Sequence, residues 1–241
     1  MVQLGPALGV ALVLLTLTAA VVSRYAGLGH DRGVLVASLR AVVQLSGIAL
    51  VLAAVVRSLA LTLLFVATMF AVASWTAGRR VVRTRAALWA AVPVGLGTLP
   101  VVVGLLLAGI VPARGIAVVP IAGILIGGAM TATALAGRRA VDELVARRGE
   151  VEAGLALGLL PRDAALEVCR PAAGQALVPV LDQTRTVGLV ALPGAFVGTL
   201  LGGATPVEAG AVQVLILVAL LAVQAFAVAA TVELVARGIL R

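Results

Sequence analysis

Very few residues in this sequence are equipped for chemistry. His30 is its only histidine, and it stands beside Asp31 in a short polar break, where a solvated side chain is expected. Cys169 is the only cysteine, which rules out an internal disulfide; it reads as a small residue on an amphipathic helix. All 18 basic residues are arginine. With no lysine there can be no phosphate loop of the GxxxxGKS/T type, so the chain carries no Walker-type ATPase site of its own. Glu208 could pass for an isolated acid, but Thr205-Pro206-Val207-Glu208 has the spacing of a capping box with proline at the first helical position. No metal ligands can be assigned, and no cofactor is expected on this chain.

Polar residues inside apolar runs are the default candidates for function. Arg40 and Gln44 lie one helical turn apart on one face. Arg40 stands about two turns from the expected inner boundary, so snorkelling to the headgroups and lining a pathway both account for it. Met130, Thr131 and Thr133 follow the pair Gly127-Gly128, and threonine hydroxyls in such places commonly bond their own helix backbone. Apart from Arg40, no ionisable group is expected in mid-span. Pro120, Pro193 and Gly194 mark places where a helix can break and expose carbonyls to a pathway. Gly194, Gly198 and Gly202 recur at four-residue spacing, which suits close helix packing.

The elements that must position these residues are membrane helices. Hydrophobic residues form 62% of the 241 positions and charged residues 12%, with a mean hydropathy of +1.20, the composition of a polytopic membrane protein. Residues 1–23 carry no charge; the run is too long, and too poor in N-terminal basic residues, for a cleaved signal peptide. It is expected to be the first of seven spans, followed by 33–56, 58–78, 86–110, 115–137, 187–203 and 206–236. The net charge of +8 reflects topology and not nucleic-acid binding, because the arginines stand at the ends of the apolar runs.

With the N-terminus outside, the inner segments hold Arg24 and Arg32, then Arg79, Arg80, Arg83 and Arg85, the arginines of a central polar stretch, and finally Arg237 and Arg241. The outer loops hold only Arg57 and Arg114. That asymmetry sets the orientation. Gly78-Arg79-Arg80 and Gly137-Arg138-Arg139 repeat one punctuation, in which glycine caps a helix and arginine complements its dipole. Tyr25, Trp75 and Trp89 fall near the inner interface, as an aromatic belt would.

Residues 138–185 are the only long water-facing stretch. Val141, Leu144 and Val145 alternate with charges at helical spacing, giving an amphipathic surface helix. A short helical piece, Glu152-Ala153-Gly154-Leu155-Ala156-Leu157-Gly158, follows, and Pro161 opens another helical run. A short helix held at the membrane face between longer ones has a shape that could dock into a soluble partner.

Several motifs resemble those of an ABC-transporter permease family, the one that includes bacterial iron-export permeases and plant aluminium-sensitivity permeases. They are LRAVVQL at 39–45, PIAGILIGGAMTA at 120–132, EAGLALG at 152–158 and TVGLVALPG at 186–194, with a trailing glycine pair at 202–203. The last is the most specific, and the similarity runs over nearly the whole chain in order. The resemblance implies a subunit without ATPase activity that pairs with a second copy and couples to a separate ATP-hydrolysing subunit. Glu152, Ala153, Gly154 and Gly158, closed by Pro161, look like the EAA-xxx-G loop through which ABC permeases engage their ATPases. Two departures bear on the cargo: the family pattern GNAM is Gly127-Gly128-Ala129-Met130 here, and a methionine pair after LPG is Ala195-Phe196.

The expectation is therefore an all-α, multi-pass protein of the cytoplasmic membrane, with one permease domain over 1–241 and a cytoplasmic coupling segment at 137–186. Its central stretch and C-terminus face the cytoplasm. Its partners are the lipid bilayer, a second copy and an ABC ATPase that holds the ATP, with no nucleic acid. The expected pathway residues are Arg40, Gln44, Pro120, Met130, Thr131, Pro193 and Gly194. The cargo would be a metal ion such as iron, or a small metabolite, moving outward. A secondary transporter or channel, and a membrane assembly factor without transport, are the alternatives.

Overall fold

An apolar segment in lipid must satisfy its own backbone hydrogen bonds, and long runs of Ala, Val and Leu do so as helices. The computed structural model describes residues 5–241, and among them the only β feature is an isolated bridge between Val187 and Ala191. The chain divides between Val55 and Val56 into two compact units.

The first unit is a helical hairpin of α1 (Pro6–Tyr25) and α2 (Asp31–Val55), packed on each other. Arg24 pairs with Asp31 across the turn at 3.9 Å. The opening residues of the expected span, 1–4, lie outside the described residues.

The second unit begins with α3 (Leu59–Val81) and a 3-10 turn (Arg85–Ala90) that leads into α4 (Ala91–Leu107) and α5 (Gly115–Ala146). Three short helices follow, α6 (Arg148–Ala156), α7 (Pro161–Gly174) and α8 (Val178–Thr186), with a 3-10 turn at Gln175–Leu177. The chain ends in α9 (Gly194–Leu201) and α10 (Pro206–Ala236). α5 is the central column, packed against α3, α4, α7 and α10. The core between these helices is lined by small residues such as Ala129, Ala132, Ala136, Ala173 and Ala227. Small side chains let the helix axes approach, which supplies the dispersion contact that holds helices together in lipid.

Two glycines fix the relative level of α5 and α10. A Cβ on Gly128 would stand 2.5 Å from Leu220 Cδ2, and one on Gly137 would stand 3.4 Å from Thr231 Cγ2. The two helices therefore run side by side in the same direction. Gly137 and Gly78 do not end their helices, contrary to the expectation from Gly-Arg-Arg. α5 continues to Ala146 and α3 to Val81. Both glycines are buried at close approaches, Gly78 under Ala87 and Gly137 under Val81, so packing and not a left-handed cap accounts for them.

Among the described residues six helices are long and apolar enough to cross a membrane, with 85–107 counted as one. The expected span over 187–203 differs. It is a turn followed by the eight-residue α9. Gly188 adopts φ +81°, a left-handed conformation, and Pro193 has no N–H to carry a helix through. α10 has the expected limits, and its capping box forms: Thr205 Oγ1 accepts from the Glu208 N–H while the Glu208 carboxylate accepts from the Thr205 N–H at 2.8 Å. The chain is an all-α, polytopic membrane protein.

Candidate coupling surface and translocation path

α6 carries Glu152, Ala153 and Gly154 and buries none of its residues. It is short, so local pairs must hold it. Arg148 Nε donates to Glu152 at 2.8 Å, and Arg147 clamps both Glu143 and Glu150 across the junction with α5. The hydrogen bond from Arg147 holds the Glu150 carboxyl below its usual range.

The end of α6 is a Schellman motif. The Gly158 N–H donates to the Leu155 carbonyl and the Leu159 N–H to the Gly154 carbonyl, both at 3.0 Å, with Gly158 at φ +90°. Leu160 then adopts an extended conformation and Pro161 opens α7. The tight reversal presents Leu157, 86% exposed, and Leu160, 68% exposed, beside the acidic and basic rim of α6. Thus the residues of the expected coupling loop stand together, as an exposed apolar tip on a rigid turn.

α7 ties this tip to the membrane bundle. Ala165, Leu166, Val168, Cys169 and Ala173 join the core. Burial pushes the Cys169 thiol up. At the start of α7, Arg162 grips Glu233 of α10 with a two-pronged contact of 2.6 and 2.7 Å, and Arg237 shares that carboxylate. Glu233 is a site residue that sequence reasoning missed, because partners 71 positions apart in the chain carry no local signal.

Of the expected pathway residues, the fold brings Pro120, Gly194 and its neighbour Pro193 to one place. Pro120 and Gly194 line a cavity of about 600 Å³ between α5, α9 and α10. Pro120 lies within α5, where it cannot bond to the carbonyl one turn back. An added Cβ on Gly194 or Gly198 would meet nothing within 4 Å. These two glycines therefore make no tight seam within the chain. Pro193 is the extended residue that starts α9.

Met130 is partly buried in the core, and Thr131 spends its hydroxyl on the Gly127 carbonyl at 3.0 Å. Both lie further along α5 than the cavity, so they do not join Pro120 and Gly194. Arg40 and Gln44 are exposed on α2 in the first unit.

Two amides on α10 were also missed, although a polar residue within an apolar helix is itself the signal. Gln213 is buried, and its Oε1 accepts from the Phe196 N–H at 3.1 Å, which satisfies an orphan donor at the start of α9. Gln224 reaches over Gly128: a Cβ there would be 3.1 Å from its Nε2. The position at which the family pattern has asparagine is bare in this chain, and an amide from α10 stands over it.

Over residues 7–240 the chain matches the family described as "Uncharacterised protein family (UPF0014)". It is 38% identical over 193 residues to "UPF0014 membrane protein STAR2" of Oryza sativa subsp. japonica, covering 79% of this chain and 68% of that one. It is 38% identical over 150 residues to "Protein ALUMINUM SENSITIVE 3" of Arabidopsis thaliana, covering 62% of this chain and 55% of that one. To the "Probable iron export permease protein FetB" of Escherichia coli (strain K12) it is 31% identical over 210 residues, 85% of this chain and 80% of the relative. No solved structure matches the chain.

Proposed function

The chain belongs to the UPF0014 family of membrane proteins, and from that premise we propose that it is the permease subunit of an ABC exporter. It works as a pair with a second copy, and each copy engages a separate ATPase subunit on its cytoplasmic face. The carrying observation is α6: a helix with no buried residue and with Glu152, Ala153 and Gly154 on it, closed by the Gly158 turn and pinned to the bundle through α7.

ATP binding and hydrolysis on the partner subunit move α6. α7 passes that movement to α10 through Arg162 and Glu233, and α10 passes it to α9 through Gln213 and Phe196. The cargo is a metal ion such as iron or a small metabolite, exported outward; a relative named as a probable iron export permease supports iron. The orientation is N-terminus outside, with α6 and the C-terminus in the cytoplasm, in keeping with the arginines at the inner ends of the spans. The protein is not itself an enzyme, holds no cofactor and binds no nucleic acid.

Capture of an ATPase subunit from membranes carrying both genes tests the reading. A variant of the turn that closes α6, Gly158→Arg, should lose the ATPase while the membrane bundle stays folded. If that variant still stimulates hydrolysis, the coupling assignment falls. If the wild type captures no ATPase, a secondary transporter or an assembly factor takes its place.

A further inference from the structure

The end of the bundle away from α6 carries a basic groove. α3 starts there at Leu59, and α5 starts there at Gly115 and runs toward α6. The corner before α3 sits on the first residue of α5: a Cβ on Gly115 would stand 2.8 Å from the Val56 Cα and 2.5 Å from Thr62 Oγ1. That approach brings Arg57 and Arg114, far apart in the chain, onto one groove of about 420 Å³. The rest of its lining is apolar or bare. Leu59 and Ile116 stand 59% and 72% exposed beside the arginines. Ile116 also walls the 600 Å³ cavity, where Thr199 has the one polar side chain among the described residues that line it.

The groove holds positive charge and nothing that offsets it. Among the described residues neither Arg57 nor Arg114 pairs with a carboxylate. Two like charges on one groove repel each other unless an anion stands with them. The starts of α3 and α5 add the same sign, since neither has an acid in its first turn.

No segment of this chain supplies the acid. The sequence has ten acidic residues. Glu208 begins α10 at this end, and its carboxylate is taken by the Thr205 N–H and hydroxyl. Asp31 opens α2, a 25-residue helix whose other end leads into Val56. Asp182 pairs with Arg185 on its own helix. The remaining acids lie on the last turns of α5, on α6 and α7, or at Glu233, toward the other end of the bundle. A second copy brings the same acids in the same places, so neither it nor the first hairpin answers the charge. A phosphate dissolved in water would use the arginines and leave Leu59 and Ile116 uncovered. A phospholipid covers both.

We propose that this groove binds an anionic phospholipid. Arg57 and Arg114 hold its phosphate, its glycerol and first methylenes lie on Leu59 and Ile116, and an acyl chain passes Ile116 toward the cavity. Guanidinium groups suit the phosphate because each offers parallel N–H donors to two oxygens. Basic clefts between membrane helices take lipid headgroups by the same chemistry. The site lies at the opposite end of the bundle from α6, and the inference does not depend on an ATPase partner.

The test uses the full chain in phosphatidylcholine nanodiscs that contain a minor share of phosphatidylglycerol, with the lipid retained on release read by native mass spectrometry. The wild type should retain phosphatidylglycerol several-fold above its share of the bilayer. A double variant, Arg57→Gln with Arg114→Gln, should retain it only in proportion to that share. The pair Arg80→Gln and Arg83→Gln removes the same charge at the other end of α3 and should keep the wild-type enrichment. Glycerophosphoglycerol, the same headgroup without chains, should not displace the lipid at equal concentration. No enrichment in the wild type, the result expected if the first hairpin or a second copy covers the groove, would overturn the proposal. So would enrichment that survives loss of both groove arginines, or that falls equally in the Arg80 and Arg83 variant. Displacement by glycerophosphoglycerol would replace the lipid with a soluble anion and overturn the acyl contact.

Discussion

Gly158→Ala separates the coupling turn from the membrane bundle. The native φ at Gly158 is +90°, and an added Cβ would meet no heavy atom within 4 Å. The substitution therefore creates no clash, and its cost is the left-handed backbone alone, about 1–2 kcal/mol for a residue with a Cβ. That cost acts on the Schellman turn, because nothing else touches the position. The equilibrium constant for holding α6 and α7 at their native angle should fall roughly 5- to 30-fold. Permease in lipid nanodiscs would be titrated with the captured ATPase, and stimulation of hydrolysis read below saturation. A loss of up to that factor is expected, with the thermal midpoint of the bundle unchanged. Full stimulation would refute the claim that a fixed angle at Gly158 carries coupling. An equal loss of bundle stability would refute the claim that the turn stands apart from the core.

Four further outcomes follow from the same geometry. Glu233→Gln should release the start of α7 from α10 and speed proteolytic cutting between α6 and α7, and Arg162→Lys should do the same because an ammonium cannot make the two-pronged contact. Gly97→Ala places a Cβ 2.6 Å from the Val223 carbonyl oxygen, so the α4–α10 seam should lose about 1–3 kcal/mol in a thermal melt; Gly104→Ala, with nothing within 4 Å, should be neutral. Gln213→Leu leaves the Phe196 N–H unpaired at a cost of about 1–3 kcal/mol, read as faster amide exchange in α9. Cys169, buried and with its thiol pushed up, should resist maleimide in the folded protein and react only on unfolding.

Much of the fold was legible because its signals are local. The Thr205–Glu208 capping box and the unbroken apolar run after it mark α10, and hydropathy alone marks the other long spans. The ends of α3 and α5 were not legible. Gly78 and Gly137 have the sequence context of caps, and only the packing of Ala87 and Val81 against them shows that the helices run on. A hydropathy window also cannot separate a continuous span from a broken one, so 187–203 read as a helix although Gly188 and Pro193 interrupt it.

The residues proposed for coupling share a motif in the sequence, and the structure adds the Schellman bonds that give them a shape. The link between them and the bundle was not readable, because Arg162 and Glu233 meet only through the tertiary fold. Asp182 and Arg185 sit in a polar stretch whose composition reads as cytoplasmic.

The most direct test of the account is ATP hydrolysis by an ABC ATPase subunit captured with the permease and purified with it in lipid, with and without ferrous or ferric iron. The account predicts that the permease stimulates hydrolysis and that iron raises it further. Failure of any ATPase subunit to bind would contradict it.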